Sequence, residues 1–305
     1  MDTKTVISIA SGHMKSLAGH TFDVLTVSKP ISPDAALNLA KVISKLSPIL
    51  GNLIEFNTVE LLNAQPEFSL FGKWKRQDPG FPDTIFEGAV FPTPGFEIKA
   101  WFPLATEMTA RFKDSQSHFV GDNTYVAILA WLPKFLIFGK PQILGVCVVS
   151  GLSIAQARDI HYHNPPDYII LEPEDTSTRT RNLQQTNTSG HKWQGTPDEF
   201  DEAKRLIEDW GENGSVYQFT VEYQRRLREL TSKYPYRLDT NYAKMDRIEH
   251  DEVEEFKRRI YAIEIHGMSV GHWNKLLSSG DDMRIRFALE QYLGIRKEDV
   301  GDLLE

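Results

Sequence analysis

The chain has 305 residues, 41% of them hydrophobic, with six Trp, ten Tyr and seventeen Phe, which is enough to build a large core and excludes a disordered chain. A formal net charge of −8 argues against indiscriminate affinity for nucleic acid, because phosphate binding is driven by Lys and Arg that release counterions. The one cysteine, Cys147, excludes an internal disulfide or a cysteine-based zinc cluster, and no run of about 18 apolar residues offers a membrane span.

The opening "MDTKTVISIASGHMK" carries an acid at position 2, no basic leader and only a short apolar patch, so no signal peptide is expected and a cytoplasmic protein is the simplest reading. From Ser32, "SPDAALNLAKVISKLSPIL" predicts a helix with a Ser-Pro-Asp start and a break at Pro48. A second helix, "GNLIEFNTVELLNAQ", is closed by Pro66. Residues 83 to 101 predict two short strands around the turn-rich "FPTPG", a hairpin. The apolar runs "NTYVAILAWL", "FLIFG", "ILGVCVVSG" and "DYIILEP" predict buried strands, with "SIAQARDIHYH" a helix between two of them. Cys147 lies inside one of these runs and is expected to be a small buried hydrophobe.

After residue 197 the texture becomes charged and amphipathic, as in solvent-facing helices, and Thr196 with Glu199 has the spacing of a capping box. The expected fold is α/β (α+β), a mixed central sheet flanked by helices. Residues 1–196 form its core and residues 197–305 a helical region that belongs to the same domain or stands apart.

Within "FPDTIFEGAVFPTPGFEIKAW", an apolar strand carries Glu97 and Lys99, and Asp83 opens its partner strand. Two residues apart in a strand means one shared face. Two carboxylates from adjacent strands can share a hard cation such as Mg2+, and a lysine beside them can orient water or stabilise charge on a phosphoryl group. Asp78, in "QDPGFPD", competes with Asp83 for the aspartate role. The plainer reading makes Glu97 and Lys99 an edge-strand pair whose charges discourage sheet association.

The order Pro82-Asp83, then Glu97-Ile98-Lys99, resembles the PD-(D/E)XK nuclease superfamily, which includes most type II restriction endonucleases. "GNLIEF", with Gly51 and Glu55, is similar to a Gly-x-Leu-x-Glu helix of the MutH branch, and "GFEIKAW" is similar to a segment of the same branch. The gap from 83 to 97 is longer than MutH-type enzymes keep. The resemblance spans roughly residues 45 to 115. It implies a restriction-endonuclease-like fold and a Mg2+-dependent endonuclease acting on double-stranded DNA, with Asp83, Glu97 and Glu55 holding the metal and Lys99 serving the water. It further implies a type II restriction enzyme, expected as a homodimer because symmetric sites match two-fold protein symmetry. A MutH-like nicking enzyme and a non-catalytic DNA-binding protein are the alternatives. As one of two acids in its helix with Glu60, Glu55 also fits a solvated surface.

"TSTRTRNLQQTNTSGHKWQGT", residues 176 to 196, has a local charge of +3 and no acid. It is rich in the residue types that read base edges in the major groove. Arg179, Arg181, Asn182, Gln184, Gln185 and Asn187 are the candidates for bases, and His191 and Lys192 for phosphate, in a recognition loop at about residues 172–196. Arg111 and Lys113, shortly after the Glu97 strand, are candidates for the backbone near the scissile phosphate. Polar surface loops and solvated helix faces have the same composition. His161, His163 and Asp167 form a sparse metal-like spacing that lacks a clear third ligand.

Overall fold

The computed structural model describes residues 1–77, 80–105, 119, 121–161, 168–169, 191–193, 195–212, 214, 220–234, 236–238 and 248–296. The chain divides into two compact units, one of residues 1–108, 125–148 and 252–305, the other of residues 109–124 and 149–251.

The first unit is built on a five-stranded mixed sheet, β1(Gly72–Arg76), β2(Thr84–Gly88), β3(Gly95–Trp101), β4(Thr124–Pro133) and β5(Pro141–Ser150), in that spatial order and with one parallel pair. The expected mixed α/β class is thus observed. β1, β2 and β3 form an antiparallel meander, so the hairpin predicted around "FPTPG" is present. Alternation along these strands turns Trp74, Phe86 and Phe96 to one side, where their rings pack 5.3 Å apart and Phe68 closes the cluster. All four are buried, and each contributes roughly 1.5–3 kcal/mol of transfer free energy.

Helices cover this sheet. α1(Thr3–Lys15) starts at Asp2, whose carboxylate accepts the Thr5 N–H at 2.8 Å, and it buries Val6, Ile7, Ala10 and Met14. This helix had no strong sequence signal, because "MDTKTVISIASGHMK" mixes β-branched residues with Gly and Ser, poor helix formers rescued by burial. α2(Pro33–Val42) is capped by Ser32 as predicted, and a short 3-10 turn leads into α3(Ser47–Asn63). Pro48 sits in the first turn of α3 rather than ahead of it, where its missing N–H costs nothing.

"FLIFG" corrects the strand reading: it is the turn between β4 and β5, with Leu136 at φ 71° and Gly139 at φ 98°. Its hydrophobicity reflects burial of Leu136 and Ile137 beneath the turn, since Val27 exchanges backbone hydrogen bonds with Gly139. The C-terminal part returns to this unit, where α9(Asp282–Leu293) packs on α2 and Lys41 reaches Asp282 at 2.7 Å.

The second unit contains α4(Gly151–His161), α5(Pro197–Glu208), α6(Val221–Lys233) and a three-stranded antiparallel sheet of β6(Tyr168–Ile169), β7(His191–Trp193) and β8(Tyr236–Leu238) in that order. The Thr196–Glu199 capping box opens α5 as its spacing predicts. α7(Asp251–Ala262), from its second residue onward, and α8(Val270–Leu277) belong to the first unit. Among the described residues no helix is long and apolar enough to cross a membrane.

Candidate active site

The site grows out of one register. Thr84 faces Phe96 and Ile85 faces Gly95, so one step back along β2 Asp83 faces Glu97. Two hydrogen bonds tie Asp83 to β3 here. The Asp83 N–H donates to Glu97 Oε2 at 3.2 Å, and the Ile98 N–H donates to Asp83 Oδ2 at 2.6 Å. Glycine at 95 permits this closeness, because a Cβ there would lie 2.6 Å from Pro82 Cγ and 3.2 Å from the Thr84 carbonyl oxygen.

Glu97 and Lys99 share a strand face, as their spacing predicts, and the Lys99 ammonium is ion-paired with Glu97 Oε1. It also stands 3.9 Å from Asp83 Oδ2. Glu97 is 8% exposed although charged, which is tolerable only because a cation and an N–H satisfy its oxygens. Lys99 therefore lies between the two carboxylates.

Glu55 comes from α3, the helix that packs on β1 and β3. Gly51 lies over β3, where a Cβ would sit 3.6 Å from that of Ala100, and Glu55 follows one turn later. Burial, and secondarily the charge of Asp83, pushes the Glu55 carboxyl above its usual range, while Arg76 and Lys99 oppose that shift. Glu55 thus feels the Asp83–Lys99 centre and is no solvated helix-surface acid.

Arg76, at the end of β1, was not singled out in the sequence. Its Nε donates to Glu55 Oε1 at 2.9 Å, and its Nη2 lies 2.9 Å from the same oxygen as an ion pair. The only sequence signal was the alternation of "GKWKR", which places Arg76 on the same side as Trp74, toward the helix. The centre then holds three carboxylates, Glu55, Asp83 and Glu97, and two cations, Arg76 and Lys99.

Asp83 and Glu97 offer the hard oxygens that Mg2+ prefers, and Mg2+ is commonly held by one or two carboxylates completed by water and phosphate. Both reach the point where the Lys99 ammonium lies, so the donor set fits such an ion. Among the described residues, no group of three His, Cys, Asp or Glu side chains is gathered as a closed metal site. Glu55 is engaged by Arg76 instead.

Of the other predicted residues, Asp78, Arg111, Lys113, Arg179, Arg181, Asn182, Gln184, Gln185, Asn187, His163 and Asp167 lie outside the described residues. The backbone of His191 and Lys192 forms β7, and His161 ends α4. Two surface grooves lie along β5, one bordered by Lys15, Gly145, Phe256 and Arg259, the other by Gln142 and His266. Neither is lined by the acids of the centre.

What fold and site define together is a mixed α/β protein with an acid–lysine centre on two adjacent strands. Comparison with models of protein families, with characterised proteins and with solved structures gives no match.

Proposed function

We propose that the protein is a Mg2+-dependent endonuclease that hydrolyses phosphodiester bonds of double-stranded DNA, of the type II restriction class and acting as a homodimer. The observation that carries this reading is the placement of Asp83 opposite Glu97 with Lys99 between them. A lone structural ion pair needs one acid for one base; here two acids from neighbouring strands converge on one point.

In this reading Asp83 and Glu97 hold Mg2+, and Glu55 supplies a further carboxylate from α3. The bound ion would neutralise charge on the phosphorus oxygens and lower the pKa of a coordinated water. Lys99 orients that water by donating a hydrogen bond and offsets negative charge as the water oxygen adds to phosphorus. The attacking water gives up its proton to bulk solvent as its oxygen bonds to phosphorus, the opposite phosphorus–oxygen bond breaks, and the leaving oxygen takes up a proton from solvent water. β3 is a rigid carrier for this geometry, because Phe96 and Ile98 between and beside the polar residues are anchored in the core.

A second reading is a non-catalytic DNA-binding protein in which the hydrogen bonds among Asp83, Glu97 and Ile98 only close the hairpin. Incubating the purified protein and its Asp83→Ala variant with phage DNA and with supercoiled plasmid, with and without Mg2+, separates the readings. Discrete fragments that need Mg2+ and vanish in the variant support the restriction enzyme. Nicked circles as the end product move the reading to a MutH-like enzyme, and intact DNA under all conditions to the binding protein.

A further inference from the structure

Each of the two carboxylates that would hold a cation at this centre already has one oxygen near an ammonium. The Lys99 ammonium pairs with Glu97 Oε1 and stands 3.9 Å from Asp83 Oδ2. The carboxylates themselves are pinned by backbone N–H groups of Asp83 and Ile98, so they keep their places whichever cation lies between them. Lysine is the movable partner, a compact charge on a flexible four-carbon stem.

We propose that Lys99 is a built-in counter-ion that holds the place of a divalent cation between Asp83 and Glu97, so that the cation binds by displacing it. The inference rests on the endonuclease reading and extends it to how the site is loaded. A divalent ion and an ammonium cannot share the point, because like charges at contact distance repel strongly where solvent screens them poorly. Lys99 is 18% exposed, so its displaced charge needs a new partner rather than open water. Among the described residues the further acid of this centre, Glu55, is held by the Arg76 guanidinium.

The phosphodiester of the substrate is the anion that answers both needs. It gives the displaced ammonium a partner and supplies the oxygens that complete a Mg2+ shell begun by two carboxylates. Cation and DNA therefore assist one another, and by linkage the assistance is equal in both directions. Free protein holds the cation weakly and the DNA complex holds it well.

The test titrates Mg2+ calorimetrically into wild-type protein and Lys99→Gln in the absence of DNA, with thermal melting to verify that the variant is folded. The variant should bind Mg2+ about tenfold more tightly; unchanged or weaker binding overturns the proposal. If Lys99→Gln does not fold, wild-type protein decides alone: with Ca2+ as a probe, its affinity for the ion should rise about tenfold or more when sheared phage DNA is added. Equal affinity with and without DNA also overturns the proposal. Neither readout is cleavage. Absent cleavage with the predicted change in cation affinity sinks the endonuclease reading alone, and cleavage without that change sinks the counter-ion alone.

Discussion

Asp83 and Glu97 face one another across an antiparallel pair: the Asp83 N–H donates to the Glu97 carboxylate, and the Asp83 carboxylate accepts from the N–H of Ile98, the residue after Glu97. Like charges directly opposite in a sheet ordinarily destabilise it. Here the Lys99 ammonium between them compensates, which makes the pair a joint structural and chemical unit.

Asp83 variants should therefore separate structure from chemistry. Asp83→Ala removes the acceptor of the Ile98 N–H and should cost about 1–2 kcal/mol in urea unfolding. Asp83→Asn keeps an acceptor and removes a like charge, so its stability should lie near that of wild type. Both should lose DNA cleavage by about a thousandfold, because the metal-borne stabilisation is worth several kcal/mol. Full activity in either variant would move the aspartate role to Asp78.

The raised pKa of Glu55 predicts a pH dependence. Its folded value lies above the ordinary 4.5, with burial as the leading cause. The folded state then binds the proton more tightly than the unfolded chain, so this group's contribution is most favourable below 4.5 and declines as pH rises through the interval above it. Urea midpoints measured from pH 4 to 7 should fall less with pH in Glu55→Gln than in wild type. Parallel curves would show that Glu55 is not held in a buried acidic environment.

Two glycines offer opposite outcomes. Gly95→Ala forces a methyl group to 2.6 Å from Pro82 Cγ, directly beside Asp83, and should cost about 1–3 kcal/mol together with most activity. Gly51→Ala meets Ala100 only at 3.6 Å, an ordinary contact, inside a helix that favours alanine. It should be neutral or stabilising by up to about 1 kcal/mol, with cleavage kept. Thermal melts of the two variants side by side check the contrast.

Cys147 should be chemically silent in the native protein. Burial, with the Glu252 charge as a lesser cause, pushes its thiol up to about 11, so almost no thiolate exists at pH 8. A thiol reagent at that pH should label it only after denaturation. Prompt labelling of native protein would place Cys147 nearer solvent than its 6% exposure.

How much of this was legible in the sequence follows from the range of the interactions involved. The two-residue spacing of Glu97 and Lys99 determined their common strand face, and Ser32 and the Thr196–Glu199 box determined two helix starts, because strand alternation and capping act within a few residues. The hairpin was legible from turn residues between apolar runs. Tertiary structure alone decided that Asp83 stands opposite Glu97, since a register shifted by one residue would have turned it to the other face. It also decided that Arg76 of β1 meets Glu55 of α3, a pairing between elements 21 residues apart in the chain. "FLIFG" shows the same division: its hydrophobicity announced burial, but the left-handed turn at Leu136 and Gly139 came from the need to join β4 to β5 over a covered edge.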